Sequence, residues 1–374
     1  MSIRALGVGL LALSFMACSG AAPTAKVSPS PSAKASPAPS PTPAQALIPS
    51  NPDFRYLAAG PGSAWALEFK TGIFRSQGAG PWVGVALPDG SIPIGLFALD
   101  DSHVWAVTNA DGNLNIFRTA NAGASWLSAP VGSGATYPID LRIRDGIHGV
   151  LAAGDQPGTL HATADGGASW TSLSGPPQAA AAACYGVRAA WLHDQTYIGS
   201  PGSCTGTAIL LYITHDSGST WQQLSIPQPA WTIFDPAQGY HTGASPVFPS
   251  PTDGYAIAAA ATCCGGGPAP YWALLTTHDG GVHWTSQVLP HPALATDFSE
   301  APLLRFVLDE GTKAGDQRWS YETRDDGTTL TQLGHLTDTT TLIAFRDQMH
   351  GFAAGLFSLV STADGGRTWT PITP

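Results

Sequence analysis

Eight-residue phrases closing on tryptophan recur along this chain, and four of them fit Ser/Thr-x-Asp-x-Gly-x-x-Trp at every fixed position. They are TADGGASW (Thr163 to Trp170), THDSGSTW (Thr214 to Trp221), THDGGVHW (Thr277 to Trp284) and TADGGRTW (Thr362 to Trp369). A fifth, TANAGASW ending at Trp126, changes only the Asp, to Asn121. TRDDGTTL ending at Leu330 and RSQGAGPW ending at Trp82 keep the place but lose letters. These seven copies stand 39 to 63 residues apart. At that spacing each copy is one supersecondary unit that cannot bury its apolar face alone and must stack on its neighbours.

The phrase reads as a hairpin tip. The Asp carboxylate accepts backbone N–H bonds across the turn, the Gly supplies a positive φ, and the Ser/Thr hydroxyl adds a local bond. The Trp starts the outgoing strand and is expected to bury its ring between sheets. Asp165, Asp216, Asp279 and Asp364 are therefore turn formers rather than catalytic groups or metal ligands. The last repeat shows the rest of the unit plainly: TLIAFRD, HGFAAGL, SLVSTADGG and RTWTPITP. Four short strands with tight turns between them make a propeller blade. The expected fold is all-β, a seven-bladed propeller of four-stranded antiparallel blades over residues 51–374. The chain enters at an innermost strand near Phe54 and leaves at an outermost one, so no blade has to be shared between the termini. Ala46-Leu47-Ile48 is a segment that could clasp the last blade.

These phrases resemble the Asp box, and the chain is similar to the bacterial neuraminidase-repeat family of β-propellers. For a sialidase the resemblance implies three arginines on the substrate carboxylate, a Tyr paired with Glu as nucleophile and an Asp as acid/base. Phe54-Arg55-Tyr56-Leu57 stands where that family has Phe/Tyr-Arg-Ile-Pro, without the Ile and Pro. Arg55, Arg142, Arg144, Arg305 and Arg346 are candidates on inner strands. Tyr321 and Glu322 are neighbours on a third strand and so point to opposite faces. The family's blade count is six, not seven. Glu68, Glu300, Glu310 and Glu322 carry no diagnostic pairing for other glycoside hydrolysis. A second resemblance covers the whole domain: HGVLAAGDQPGTLHATADGGASW (His148 to Trp170) is similar to the repeats of the photosystem II assembly-factor propellers. Those are seven-bladed, non-enzymatic and bind a client protein, although the arginine-rich patch they use is not evident here.

The start of the chain carries Arg4, then an apolar run from Ala5 to Ala17, which reads as a secretory signal over residues 1–18. That run is shorter than the ~20 residues a membrane span needs. Phe15-Met16-Ala17-Cys18 resembles a bacterial lipobox with Phe15 in place of the usual Leu, and implies acylation of Cys18; ordinary cleavage and secretion is the alternative. Residues 19–50 are almost wholly Ala, Pro, Ser, Thr and Lys, a semi-extended tether with nothing to bury. The expected location is the outer face of the bacterial cell membrane, or the medium. Beyond residue 50 the chain has 26 acidic against 13 basic groups, a net charge of −13. That excludes nucleic acid and anionic lipid as partners of the domain, since both require clustered Lys/Arg. Membrane contact is then expected through the lipid anchor only, and the domain is expected to be a monomer.

The long intervals locate irregular material at residues 196–207, 227–245 and 262–270. Connections before a blade's first strand and between its second and third emerge on the face opposite the Asp boxes. All three inserts therefore gather on one face over blades four and five, where loop-borne function concentrates. Trp231 is the one tryptophan in a long loop, and with Phe234, Tyr240 and His241 it forms an aromatic platform for a protein or carbohydrate ligand. Cys184, Cys204, Cys263 and Cys264 allow three disulfide pairings. Cys184–Cys204 with a vicinal Cys263–Cys264 bridge is one; Cys204 joined to a member of the adjacent pair would crosslink the inserts. No His/Cys spacing typical of a metal site is present, and no cofactor is expected.

Overall fold

The computed structural model describes residues 47–372 apart from residues 79, 134–138, 155–158, 178–187, 201–207, 230–239, 263–270 and 312–316. Of residues 240–245, 260–262 and 271 it describes the backbone. Cys18, Trp231, Phe234, Cys184, Cys204, Cys263 and Cys264 lie outside the described residues, as does the whole stretch 1–46.

Twenty-eight strands form seven four-stranded sheets, each built from consecutive strands with antiparallel neighbours. Blade one is β1–β4 (Phe54–Ala59, Ser63–Glu68, Gly72–Gln77, Trp82–Val85) and blade two is β5–β8 (Gly95–Ala98, Val104–Ala110, Asn113–Thr119, Leu127–Ser133). Blade three is β9–β12 (Ile139–Ile143, Gly149–Ala153, Thr159–Thr163, Thr171–Leu173) and blade four is β13–β16 (Arg188–His193, Thr196–Ser200, Tyr212–Thr214, Gln222–Gln223). Blade five is β17–β20 (Tyr240–Val247, Gly254–Thr262, Tyr271–Thr277, Thr285–Leu289) and blade six is β21–β24 (Ala293–Glu300, Leu303–Asp309, Arg318–Thr323, Thr331–Leu336). Blade seven is β25–β28 (Thr340–Phe345, Gly351–Gly355, Ser358–Thr362, Thr370–Pro371). The expected seven-bladed, four-stranded architecture is the one observed.

Second strands such as β2, β10 and β26 are buried at every position. Both faces of each sheet are covered by the neighbouring blades, which replaces the alternation of a half-exposed strand by a continuous apolar run. No blade is shared between the ends of the chain. One cluster across blades one and seven, with Phe54, Ala66, Phe74, Trp82, Phe352 and Leu359 at its centre, closes the ring. Ile48 is buried in that cluster and Ile372 packs against it, so the segment before β1 does hold the closing seam. The Phe357 amide donates to the Pro52 carbonyl at 2.7 Å and Asp53 bridges to Leu356.

The eight-residue phrases are turns between third and fourth strands. In each fully matching copy the Thr hydroxyl donates to the Asp carboxylate and accepts the amide of the fifth-position Gly, while the Asp accepts the amide four residues on: Thr163, Asp165, Gly167 and Ser169 in blade three, at 2.8–2.9 Å. Asn121 and Asp325 make the same bonds in blades two and six. The blade-six turn thus keeps its full bonding although Leu330 replaces the Trp. In blade one the tip is a different turn, with the Ser76 hydroxyl donating to the Gly80 carbonyl. Position four of the phrase is left-handed even where it is not Gly, at Ala122, Ser217 and Asp326.

The turns also stitch blades together. A Cβ on Gly281 would collide with the Ile198 side chain of the preceding blade. The Trp105 indole donates to the Gly166 carbonyl of the next blade. Trp82 and Trp284 are buried as expected, but Trp126, Trp170, Trp221 and Trp369 are half-open to solvent. In blades two, three and seven the ring lies over its own turn's Gly, as Trp369 does over Gly366, at the rim of the blade.

Candidate functional site

The innermost strands β1, β5, β9, β13, β17, β21 and β25 surround a central channel, and at the Asp-box end it widens into a cavity of about 480 Å³. Leu57, Phe97, Phe248, Phe298 and Phe345 give it apolar walls. Its charged residues are Arg142, Arg144 and Asp297. The Arg142 Nε lies 2.8 Å from Asp140. Asp297 accepts the Phe345 amide and the amide and hydroxyl of Ser299, so its carboxylate fastens β21 to β25.

Of the candidate sialidase residues, Arg142 on β9 and Arg144 just after it line this cavity, whereas Arg55, Arg305, Arg346, Tyr321 and Glu322 are not brought to it. Arg55 lies on β1 toward the opposite face, exposed, paired with Asp53 at 2.7 Å and 5.3 Å from the Phe69 ring centre. Arg305 sits on β22, a second strand rather than the inner strand expected, and is fully buried. It donates to the Gln348 carbonyl of blade seven, faces Glu300 and lies 3.8 Å from the Phe345 ring centre, a link between blades six and seven. Arg346 follows β25 in a first-to-second-strand turn, over the Phe352 ring. Tyr321 and Glu322 occupy β23 as expected, but the Tyr321 hydroxyl bonds to Glu310. Burial, and then that neighbouring carboxylate, push the Tyr321 phenol above its ordinary value, opposite to what a nucleophile requires.

The turn aspartates are ionised and committed to the turns. Ser169 holds Asp165 at about 2 through its hydroxyl and amide, and Thr220 does the same for Asp216. The amide and ring of His283 bring Asp279 to about 2. At Asp364 burial works the other way, and the Thr368 hydroxyl and amide outweigh it, again giving about 2. Among the described residues no three His, Cys, Asp or Glu side chains gather as a metal site.

A second repeated turn went unread in the sequence although its letters are there: DDSH, DGIH and DQMH between first and second strands. Asp100, Asp145 and Asp347 each accept the amide and the Nδ1 of the His three residues on, His103, His148 and His350. His148 then stacks on Trp191 of blade four at 4.7 Å. In blade three the pair is thereby also a strut to blade four.

On the face opposite the Asp boxes the largest departure from the repeat is in blade five. Its β17–β18 ladder runs eight pairs, from Tyr240↔Thr262 to Val247↔Tyr255, against five between β9 and β10. Three extra pairs raise a ridge of about 10 Å at 3.3–3.4 Å per residue. Tyr240 and His241 begin β17 at the end of that ridge, on a strand rather than in the loop expected over residues 227–245; that insert and 262–270 border the ridge in sequence, and 196–207 belongs to blade four.

No protein-family model matches this chain, and no curated protein matches it. Solved structures share the fold at low identity. A GH74 xyloglucanase from Xanthomonas campestris is 15% identical over 88% of this chain and 54% of that one, with a TM-score of 0.60. A PL25 ulvan lyase is 10% identical over 88% of this chain and 98% of the other, with a TM-score of 0.55. YCF48 from Cyanidioschyzon merolae is 17% identical over 77% and 87%, with a TM-score of 0.50. The chain spans about half the length of the GH74 enzymes it matches. What these likenesses share with the present chain is the propeller itself, a scaffold that does not by itself fix a function.

Proposed function

We propose that the chain is an exported propeller tethered through an acylated Cys18, and that it works as a binding module, holding a protein or glycan partner on the face opposite the Asp boxes over blades four and five. The observation that carries this reading is the β17–β18 ridge, which carries the backbone of Tyr240 and His241 beyond the five-pair ladder of blade three. Trp231 and Phe234, in the adjoining insert, complete the platform. Aromatic side chains of this kind offer large, rigid contact area at low cost in conformational entropy, and a few of them carry most of a binding energy.

Trp231→Ala and Tyr240→Ala should each weaken binding by roughly 10-fold or more, as loss of an anchor of about 1.4 kcal/mol or more requires. The ligand for that measurement is the one recovered with the wild-type ring from a glycan array or a pull-down. Thermal melting should be nearly unchanged, because a binding anchor contributes to the complex rather than to the fold of the free ring. Unchanged affinity in both variants would remove the site assignment. Hydrolysis of a fluorogenic sialoside, lost in Arg55→Ala, would instead establish the sialidase alternative.

A further inference from the structure

The seam that closes the ring is not fully packed. Between blades seven and one, toward the Asp-box end, it leaves a cavity of about 360 Å³. Ile48, Trp82, Phe352 and Ile372 give it an apolar base, and the Trp82 and Phe352 rings meet edge to face at 5.4 Å. Arg346, His350 and Ser361 bring polar groups to its wall. None of these residues lines the central channel, and the ridge of blade five lies on the other face.

Arg346 is what makes this cavity unusual. Its guanidinium is held 4.9 Å from the Phe352 ring centre, and its Nε and Nη2 are buried without a hydrogen-bond partner among the described residues. By contrast Arg305 and Arg318 each reach a backbone carbonyl. The carboxylates in the field of Arg346 are Asp101 and Asp347, and both are engaged elsewhere. Asp101 accepts the Gly62 amide and the Ser63 hydroxyl, and Asp347 accepts the amide and Nδ1 of His350. Burial lowers the pKa of Arg346, against the pull of those two carboxylates. A desolvated, unpaired cation costs stability unless an anion answers it.

We propose that the seam cavity binds a small amphipathic monocarboxylate, with the carboxylate on Arg346 and the apolar body against Ile48, Trp82 and Phe352. Apolar walls with a few convergent polar groups are the usual form of a small-molecule site. At about 30 Å³ per water-sized group the volume takes roughly a dozen non-hydrogen atoms, the size of a phenylalkanoic or medium-chain fatty acid. A single guanidinium answers a single negative charge, and Asp347 beside it disfavours a dianion such as a phosphate monoester. A sugar of that size would leave hydroxyls unpaired against the two aromatic rings. Because the ligand would touch blades seven and one together, its occupancy would also hold the ring closed.

The test uses residues 43–374, one compact unit whose ring closes between Ile48 and Ile372. Calorimetric titration with 4-phenylbutyrate should give a Kd of about 1 mM or tighter, within reach of a dozen well-placed atoms. The corresponding alcohol, 4-phenylbutan-1-ol, should bind about tenfold more weakly or worse, since a bond to a charged group supplies that difference. Arg346→Met should bring acid and alcohol to within about twofold of each other, and Arg346→Lys should keep part of the preference. Amide exchange read by mass spectrometry should slow in segments 80–85 and 346–352 when the acid is bound, with 240–262 unchanged. No binding of the acid, or equal affinity for acid and alcohol in the wild-type ring, would overturn the proposal even where Arg346→Met fails to fold. So would slowing spread over all blades, or a preference for the acid that survives intact in Arg346→Met.

Discussion

Glu68→Ala should cost about 3 kcal/mol or more and loosen the closing seam first, because it leaves several donors unpaired in the interior. The carboxylate is fully buried at the end of β2. It accepts the Asp53 amide at 3.0 Å on one oxygen, and the Lys70 and Thr71 amides at 2.9 and 2.7 Å with the Thr71 hydroxyl on the other. One side chain therefore holds both the entry of the chain into β1 and the turn that presents Phe69. Burial pushes its acidity the unfavourable way, but the Thr71 hydroxyl and the three amides outweigh that and keep the carboxyl below its ordinary value. A depressed carboxyl contributes its stability in full above the unfolded value, about 4.3, and loses it as pH falls through the folded one. The denaturant midpoint of Glu68→Gln should accordingly fall less than wild type between neutral pH and the acid range. A pH profile parallel to wild type would show that the ionised form of Glu68 does not stabilise the ring.

The second large effect is expected at Gly334→Ala, of about 3 kcal/mol, the upper part of what overpacking costs. An added Cβ would stand 2.5 Å from the Gly366 carbonyl oxygen and 2.6 Å from that of Arg367, both backbone atoms of the next blade's turn. Nothing there can swing aside. The same seam holds the Ser320 hydroxyl, which donates to the Gly366 carbonyl at 2.8 Å and accepts the Trp369 indole N–H at 3.2 Å, so parting the backbones breaks these bonds as well. Gly90→Ala is the control. Gly90 has φ of 71° and nothing within 4 Å, so its substitution should cost about 1 kcal/mol of backbone strain alone. Equal melting temperatures for the two variants would remove the close approach of blades six and seven as a determinant of stability.

Blade number, strand order and the turn chemistry were legible because each is local. Thr, Asp and Gly at fixed offsets satisfy their own turn, and repetition then counts the blades. The channel was not legible in the same way. Register shifts on β1, β13 and β21, such as that between Asp297 and Glu300, break the alternation that would assign inward and outward residues. β21 itself is disguised by Thr296, Asp297 and Ser299, polar because they face the channel end. That is how Arg305 on β22 came to resemble an inner-strand residue. The Asp-x-x-His turns were readable in principle, but that His148 also joins two blades rests on Trp191, which is distant in sequence.

The seam between blades one and seven has a mechanical meaning. In this ring the first and last blades are each complete, and what joins them is packing around Ile48, Phe54, Trp82 and Phe352 with a few bonds at Pro52 and Asp53. A pull delivered through residues 19–46 would arrive at that seam and load side-chain contacts before any four-stranded ladder bears it. The ring would then yield under force by opening like a clasp, with all seven blades intact and able to close again when the load is released.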